Sequence, residues 1–154
     1  MPHSLLSIFV ALVGLASVWV APAFAEGTSD GSSTETATET VYAEAKALVD
    51  GANYVAALPM LINLTRVEAG NADAWNLLGF THRMLGQIDD SAAAYLMVLS
   101  INPDHLGGLE YQGELFLATG QPDLAKANLA KLKGLCGSCE EAADLEKAIA
   151  TAGV

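Results

Sequence analysis

The sequence has few basic residues, with seven Lys and Arg against eighteen Asp and Glu and a formal net charge of −11. All seven basic and fourteen of the acidic residues lie from Val41 onward, so the main body of the chain is itself acidic. An acidic surface repels the phosphate backbone of DNA or RNA. This balance argues against nucleic acid as a partner.

Charged side chains are missing altogether from residues 4–25. An apolar run over residues 5–20 is followed by Ala23-Phe24-Ala25, a small-x-small cleavage pattern, so residues 1–25 are predicted to be a signal peptide cleaved after Ala25. The chain is then expected in the periplasm. No Lys or Arg precedes the run, however, and about 20 apolar residues can span a bilayer. An uncleaved leader that serves as a membrane anchor is the alternative.

Large apolar side chains are absent from residues 26–40, which carry four acidic groups and no basic one. Such a segment cannot bury a core, and it is predicted to be a flexible acidic linker before a domain over residues 41–152. That domain is rich in Ala and Leu, has few β-branched runs and contains only Pro59, Pro103 and Pro122. This composition favours helices, so the predicted fold class is all-α.

Motifs for catalysis or cofactor binding are also missing: the sequence has no nucleophile turn with a Ser-His-Asp order, no Gly-rich phosphate loop and no H-E-x-x-H. His82 is expected to be a ring in the core, and His105 is expected to be solvated. The paired acids Asp89-Asp90 and Glu140-Glu141 are expected at helix starts, where they complement the helix dipole. We therefore predict no enzymatic activity, no cofactor and no metal site.

The sequence does contain an internal repeat of 34 residues, which is a length typical of helical repeat proteins. Shifting the chain by this length superposes identical residues, among them Gly79 with Gly113, Gly86 with Gly120, Gln87 with Gln121 and Asp89 with Asp123. It also gives three columns of related side chains, which are Ala57, Ser91 and Ala125; Leu61, Tyr95 and Leu129; and Leu64, Val98 and Leu132. Three repeats are predicted, over residues 38–71, 72–105 and 106–137.

The middle repeat resembles the tetratricopeptide repeat (TPR), whose signature is W-x-x-L-G-x-x-Y, A-x-x-x-F and P. The matching residues are Trp75, Leu78, Gly79, His82, Ser91, Tyr95 and Pro103, with His82 in place of the usual aromatic and Ser91 in place of the usual Ala. The stretch from Tyr111 to Glu141 is similar to the tail of exported bacterial TPR proteins. The resemblance implies an α-solenoid of about three helix pairs, in which the partner helix approaches closely at Gly79.

The end of the chain carries signals for a capping helix over residues 139–150. Lys131 and Lys133 suit a helix C-terminus, and Gly134 can adopt the left-handed conformation that closes it. Ser138 and Glu141 have the spacing of a capping box that starts a new helix. The apolar stripe that this helix would lay on the third repeat consists of Ala142, Leu145 and Ile149.

Two cysteines, Cys136 and Cys139, enclose a two-residue loop. Covalent haem attachment needs a His directly after the second Cys, where Glu140 stands, and a thioredoxin site needs a preceding strand. A metal site needs more ligands than two thiolates. Because exported thiols that lie close together usually pair, a structural disulfide is predicted. A redox-active or metal-handling pair is the alternative, since the first turn of a helix lowers the pKa of a thiol such as Cys139.

The first helices of the repeats carry a second stripe, separate from the stripe of Trp75. In TPR proteins this stripe lines a concave groove that holds peptides, so the resemblance implies a partner-binding groove formed by Tyr42, Lys46, Asn76, Phe80, Arg83, Met84, Glu110 and Glu114. Lys46 and Arg83 are expected toward one end and the two glutamates toward the other. The alternative is that Phe80 and Met84 only pack between repeats.

The predicted function is therefore that of an exported TPR adaptor or scaffold that binds a protein or peptide in its concave groove and catalyses nothing. A homo-oligomer is left open as a further partner. Two alternatives remain at this point: a thiol-disulfide or metal-handling protein that uses Cys136 and Cys139, and a membrane-tethered assembly subunit.

Overall fold

The computed structural model describes the backbone of residues 31–154 and the side chains of residues 36–154. This part of the chain folds into helices and contains no strand, as the sequence predicted. The helices are α1 (Gly31–Asp50), α2 (Tyr54–Val67), α3 (Ala72–Met84), α4 (Ile88–Ile101), α5 (Leu106–Ala118), α6 (Pro122–Cys136) and α7 (Glu140–Ala152). The predicted signal peptide and its cleavage site lie outside the described residues.

The helices pack in sequential pairs, α1 with α2, α3 with α4 and α5 with α6, and α7 packs against both α5 and α6. Short connections force consecutive helices to be neighbours. The first helices of successive pairs also touch, since α3 contacts both α1 and α5. Each pair thus rests on the next, which is the arrangement of an α-solenoid.

The middle pair shows what Gly79 and the small residue Ser91 do in the second repeat. A Cβ atom at Gly79 would lie 2.7 Å from Cε1 of Tyr95, whose side chain is completely buried. The Ser91 hydroxyl, also buried, donates a hydrogen bond of 2.8 Å to the carbonyl oxygen of Gly79. The predicted close approach of α4 to α3 at Gly79 is confirmed. Ser91 is small enough for the two helices to lie close together, and its hydrogen bond also links α4 to α3.

The turn within each pair uses one left-handed residue at the same place in the repeat. Gly86 and Gly120 both have φ of +73°, and Ala52, one repeat length earlier, has φ of +56°. Only glycine adopts this region without a steric penalty from its Cβ atom. The first pair therefore holds an alanine where the other two hold glycine, which is one reason why the sequence of the first repeat matches the pattern weakly.

The start of α1 differs from the sequence-based prediction. Helix α1 begins at Gly31, so residues 31–40 are helical and the predicted flexible linker cannot extend to residue 40. The side chain of Thr38 is buried, which indicates that tertiary packing overrides the poor helix propensity of this Ser- and Thr-rich stretch. No helix in residues 31–154 is long and apolar enough to cross a bilayer.

The junction between α6 and α7 also differs in detail. Helix α6 runs on to Cys136, and the left-handed residue after it is Gly137 with φ of +72°, not Gly134. Cys139 is the N-cap of α7 and its side chain makes no capping hydrogen bond, so the predicted capping box of Ser138 is wrong. Cys136 and Cys139 are joined as a disulfide across this turn.

The apolar stripe of α7 packs as predicted, because Ala142, Leu145 and Ile149 are all buried in one cluster with side chains of α5 and α6. A Cβ atom at Gly113 would lie 2.6 Å from Cδ2 of Leu145. The missing side chain at Gly113 therefore lets α7 pack closely against α5, whereas the missing side chain at Gly79 lets α4 pack closely against α3. Helix α7 is in this way held against α5.

Candidate functional site

The first helices of the pairs and α7 line a row of cavities on one face, which we call the concave face. A cavity of ≈ 380 Å³ lies between α1, α3 and α5, and its lining includes Tyr42, Lys46, Asn76 and Phe80. A larger one of ≈ 590 Å³ lies between α3, α5 and α7, where Arg83 and Glu114 face the last helix. Residues of α1, α3, α5 and α7 thus line one continuous side of the solenoid.

Aromatic side chains form the floor at the middle of the concave face. Phe80 lies between Tyr54 and Tyr111, with ring centroids 6.1 Å and 5.1 Å away respectively. Phe80 also packs against the apolar cluster between the first two pairs, which includes Leu61 and Leu78. The side chain therefore belongs both to the packing between repeats and to the lining of the cavity, so the two roles expected for it are not exclusive.

Arg83 stands over this aromatic floor. Its guanidinium carbon lies 5.4 Å from the ring centre of Phe80 and 5.8 Å from that of Tyr111, within the range of cation–π attraction. Its Nη2 atom is 2.5 Å from Oε2 of Glu114, and both side chains are at least three-quarters buried. An arginine fixed in this way presents a rigid, partly desolvated charge pair to anything that enters the cavity.

The charges on the concave face are not separated as the sequence suggested. Lys46 was expected with Arg83 at a basic end, but it pairs with Asp50 at 2.7 Å on the surface, and Arg83 pairs with Glu114. Packing of α3 beside α5 brings these residues of successive repeats together. The expected basic end is therefore wrong, because both cations are neutralised by neighbouring carboxylates.

An acidic end does exist, in a cavity of ≈ 230 Å³ at the start of α5 and α7. We call it the acidic pocket; it is lined by Asn76, Gly107, Glu110, Tyr111, Glu140, Glu141 and Asp144. The glutamates of α7 lie in its first turn, as predicted from their position at a helix start. No basic side chain belongs to this lining.

Glu110 is the most unusual ionisable group of the concave face. Its side chain is only 7% exposed, and its carboxylate has no hydrogen bond or ion pair among the side chains of residues 36–154. Burial, reinforced by the nearby charges of Glu114, Asp144 and Glu141, raises the pKa of Glu110 from 4.5 to about 8, and only Arg83 opposes the shift. Burial also raises the pKa of Tyr111. The carboxyl group is thus poised to titrate near neutral pH.

The expected groove residues occupy this face unevenly. Tyr42, Lys46, Asn76 and Phe80 line the first cavity, Arg83 and Glu114 the second, and Glu110 the acidic pocket. None of these three cavities includes Met84, whose side chain is 46% exposed at the end of α3. The structure thus brings seven of the eight side chains to one face.

Sequence reasoning missed the contribution of α7 and of two tyrosines, Tyr54 and Tyr111. Shifting Glu110 by one repeat length gives Asp144, and the same shift takes Leu117 to Thr151; both members of each pair line cavities of the concave face. The 34-residue offset therefore continues onto the capping helix. Applied once more beyond the third repeat, this offset would have identified Asp144 and Thr151 of α7.

His82 and His105 do not form a site together. His82 is buried, as predicted, and its Nδ1 lies 2.6 Å from Oε1 of Gln87. His105 was expected in solvent, which is wrong. Its Nδ1 accepts a hydrogen bond from the backbone N–H of Gly108 and so caps α5, and its Nε2 donates to Asp73 at 2.9 Å. Within the described residues, no group of three or more His, Cys, Asp or Glu side chains is arranged to hold a metal ion.

Comparison with known proteins gives a clear result for the fold. No protein-family model matches the sequence, and no curated protein matches it. Among solved structures, the Yersinia enterocolitica type III secretion translocator chaperone SycD is similar, with a TM-score of 0.69 and 15% identity over 77% of this chain and 85% of SycD. PcrH is similar with a TM-score of 0.68 and 16% identity over 77% of this chain and 92% of PcrH.

The chain has the TPR fold. MamA from Desulfovibrio magneticus RS-1 is a further solved structure with this similarity, with a TM-score of 0.60 and 19% identity. That match covers 64% of this chain and only 55% of the MamA chain. Identities of this size show a shared TPR architecture and do not transfer a partner.

Proposed function

We propose that this protein is a non-catalytic TPR scaffold that binds an extended peptide or a segment of another protein on its concave face. The observation that carries the proposal is the aromatic floor of Tyr54, Phe80 and Tyr111 under the fixed Arg83–Glu114 pair. Aromatic side chains and arginine in a desolvated hollow are the residues that dominate binding energy at protein interfaces.

The arrangement suits a peptide better than a small molecule. The cavities are open and lie side by side on the concave face, and both polar and apolar side chains line them. An extended peptide can place successive side chains in such a row while its backbone bonds to side chains such as Asn76. Two of the similar structures are complexes with part of another protein: SycD with a peptide of the translocator YopD, and PcrH with the chaperone-binding region of PopD.

Export to the periplasm is part of the proposal. It is supported by the uncharged leader over residues 4–25 with its Ala23-Phe24-Ala25 pattern, and by the Cys136–Cys139 disulfide, a bond typical of oxidising compartments. In this account the disulfide braces the junction of α6 and α7. Intact mass of the protein from its native cell tests cleavage after Ala25. A mass that retains the leader would favour the membrane-tethered alternative.

The binding function is tested by presenting the full chain to a random-peptide display library and measuring recovered peptides by calorimetry. Arg83→Ala is expected to weaken the tightest peptide about tenfold or more, because it removes a buried anchor and leaves Glu114 unpaired. Lys126→Ala is the matched control, since Lys126 is an exposed basic residue on α6, and it should leave affinity unchanged.

Phe80 needs a milder variant, because its ring also packs between the repeats. Phe80→Leu keeps most of the apolar volume but removes the aromatic face beneath Arg83. We expect weaker peptide binding with nearly unchanged circular dichroism. Recovery of no specific peptide, or equal affinity in Arg83→Ala and Lys126→Ala, would show that the concave face is not the binding surface.

A further inference from the structure

Glu110 is a largely buried residue whose carboxyl group has no partner. Its side chain is more than nine-tenths buried and lines the acidic pocket, yet it has no hydrogen-bonding or ionic partner among residues 36–154. Ionising a largely buried carboxyl group without such a partner is costly, so burial favours its protonated form. An unpartnered carboxyl that borders an open cavity is therefore well placed to receive its partner from a ligand.

The groups that face Glu110 from the neighbouring helices are almost all acceptors. Glu114 follows it by one turn on α5, while Glu141 and Asp144 face it from α7. Glu140 completes the lining on α7, and the Asn76 side chain from α3 has its Oδ1 atom buried without a hydrogen-bond donor among the described residues. Arg83, the one cation among residues 36–154 that lowers the pKa of Glu110, is engaged with Glu114.

A bare metal ion does not fit this arrangement. Calcium and magnesium need six or more oxygen ligands gathered around one point, and no cluster of three acidic, histidine or cysteine side chains in the described part of the chain is close enough to hold an ion. Acceptors spread around a cavity of ≈ 230 Å³ instead suit a cation with several N–H donors on a long stem. Lysine and arginine side chains have that form.

We propose that the acidic pocket receives a Lys or Arg side chain of the peptide held on the concave face, with Glu110 as its ion-pair partner. The inference rests on the proposed peptide-binding function and specifies one position of that peptide. The pocket adjoins the aromatic floor through Tyr111, which lines the first cavity as well. The basic residue therefore lies next to the part of the peptide that covers the floor, at a fixed spacing from it.

Such an ion pair couples binding to protonation. The pKa of Glu110 is about 8 in the free protein, so the carboxyl group is mostly protonated at pH 6. A bound Lys or Arg favours the carboxylate and lowers this pKa, so a proton is released on binding. Affinity is then expected to rise by up to about tenfold per pH unit between pH 6 and pH 8. Arg83, Glu114, Glu141 and Asp144 act on Glu110 throughout this range.

The test uses the tightest peptide from the display library and a copy in which its Lys becomes norleucine or its Arg becomes citrulline. With the wild-type full chain, the neutral copy should bind about tenfold or more weakly. With Glu110→Gln, the neutral copy should bind less than about threefold more weakly than the charged peptide. The rise in affinity with pH should also vanish. Asp144 is an exposed residue on the other side of the pocket. In Asp144→Asn, the difference in affinity between the charged and the neutral peptide should be smaller than in wild type but should not vanish.

The outcomes separate this inference from the proposed function. Peptides that bind on the concave face but show no preferred Lys or Arg position would overturn the inference alone. An equal loss from the neutral peptide in wild type and in Glu110→Gln would overturn it as well. Calcium binding that Glu110→Gln abolishes would show a metal site in its place. Recovery of no peptide at all would instead remove the proposed function, and the inference with it.

Discussion

The pH dependence of folding stability should change when Glu110 loses its charge. The pKa of this group is raised to about 8 in the folded protein from 4.5, so the folded state holds a proton that the unfolded state releases at lower pH. A raised carboxyl pKa contributes stability that is fully present below pH 4.5 and is lost as pH rises through 8. The wild-type free energy of unfolding should therefore fall across this window.

The size of this fall in the free energy of unfolding follows from the pKa shift of Glu110. One pH unit corresponds to 1.36 kcal/mol, so the full interval between the two pKa values sets an upper limit of roughly 5 kcal/mol. Because the unfolded carboxyl group is already largely ionised at pH 5, about 4 kcal/mol of this limit should appear between pH 5 and pH 9. Glu110→Gln carries no charge at any pH. Its stability relative to wild type should therefore rise by this amount from pH 5 to pH 9.

Urea unfolding followed by circular dichroism at pH 5, 7 and 9 measures the difference directly. Glu44→Gln is the matched control, because Glu44 is an exposed glutamate on α1 and its replacement should leave the pH profile parallel to wild type. A difference between Glu110→Gln and wild type that stays constant from pH 5 to pH 9 would refute the reasoning. It would mean that the carboxyl group is no harder to ionise in the folded protein than in the unfolded chain.

Three substitutions test the packing that holds the concave face, each by urea unfolding. Ala52→Gly should raise the free energy of unfolding by about 0.5–1 kcal/mol, because it relieves a left-handed alanine; a loss of stability would contradict the assigned turn. Ser91→Ala should cost about 1 kcal/mol, since it removes the hydrogen bond to the Gly79 carbonyl, and no change would mean that the bond contributes nothing. Gly113→Ala should cost about 1–3 kcal/mol by overpacking against Leu145, and a neutral result would show that α7 is not closely docked there.

The repeat made the fold predictable from the sequence. Gly79, Ser91 and Tyr95 match the TPR pattern, and that resemblance implied the pairing of α3 with α4. The start of α1 was not predictable in this way. Its Ser and Thr residues have weak helix propensity, and the helix there depends on contacts of side chains such as Thr38 that no local pattern reveals.

The candidate site was predictable only in outline. Residues such as Asn76 and Phe80 were found because a stripe along one helix shows in the sequence as a period of three or four. Pairings between helices do not show in this way. The contact of Arg83 with Glu114 and the burial of Glu110 depend on how α3, α5 and α7 lie beside one another, and the expected basic end was wrong for this reason.

The most direct test of the account is to locate a bound peptide on the protein surface by site-specific photo-cross-linking. A benzoylphenylalanine replaces Thr151, an exposed residue that lines the ≈ 590 Å³ cavity of the concave face, or Leu96, which is 65% exposed on α4. The probe is the tightest peptide from the display library, mixed with the full chain. The account predicts a cross-link from position 151 and none from position 96. A cross-link from position 96 without one from position 151 would contradict peptide binding on the concave face.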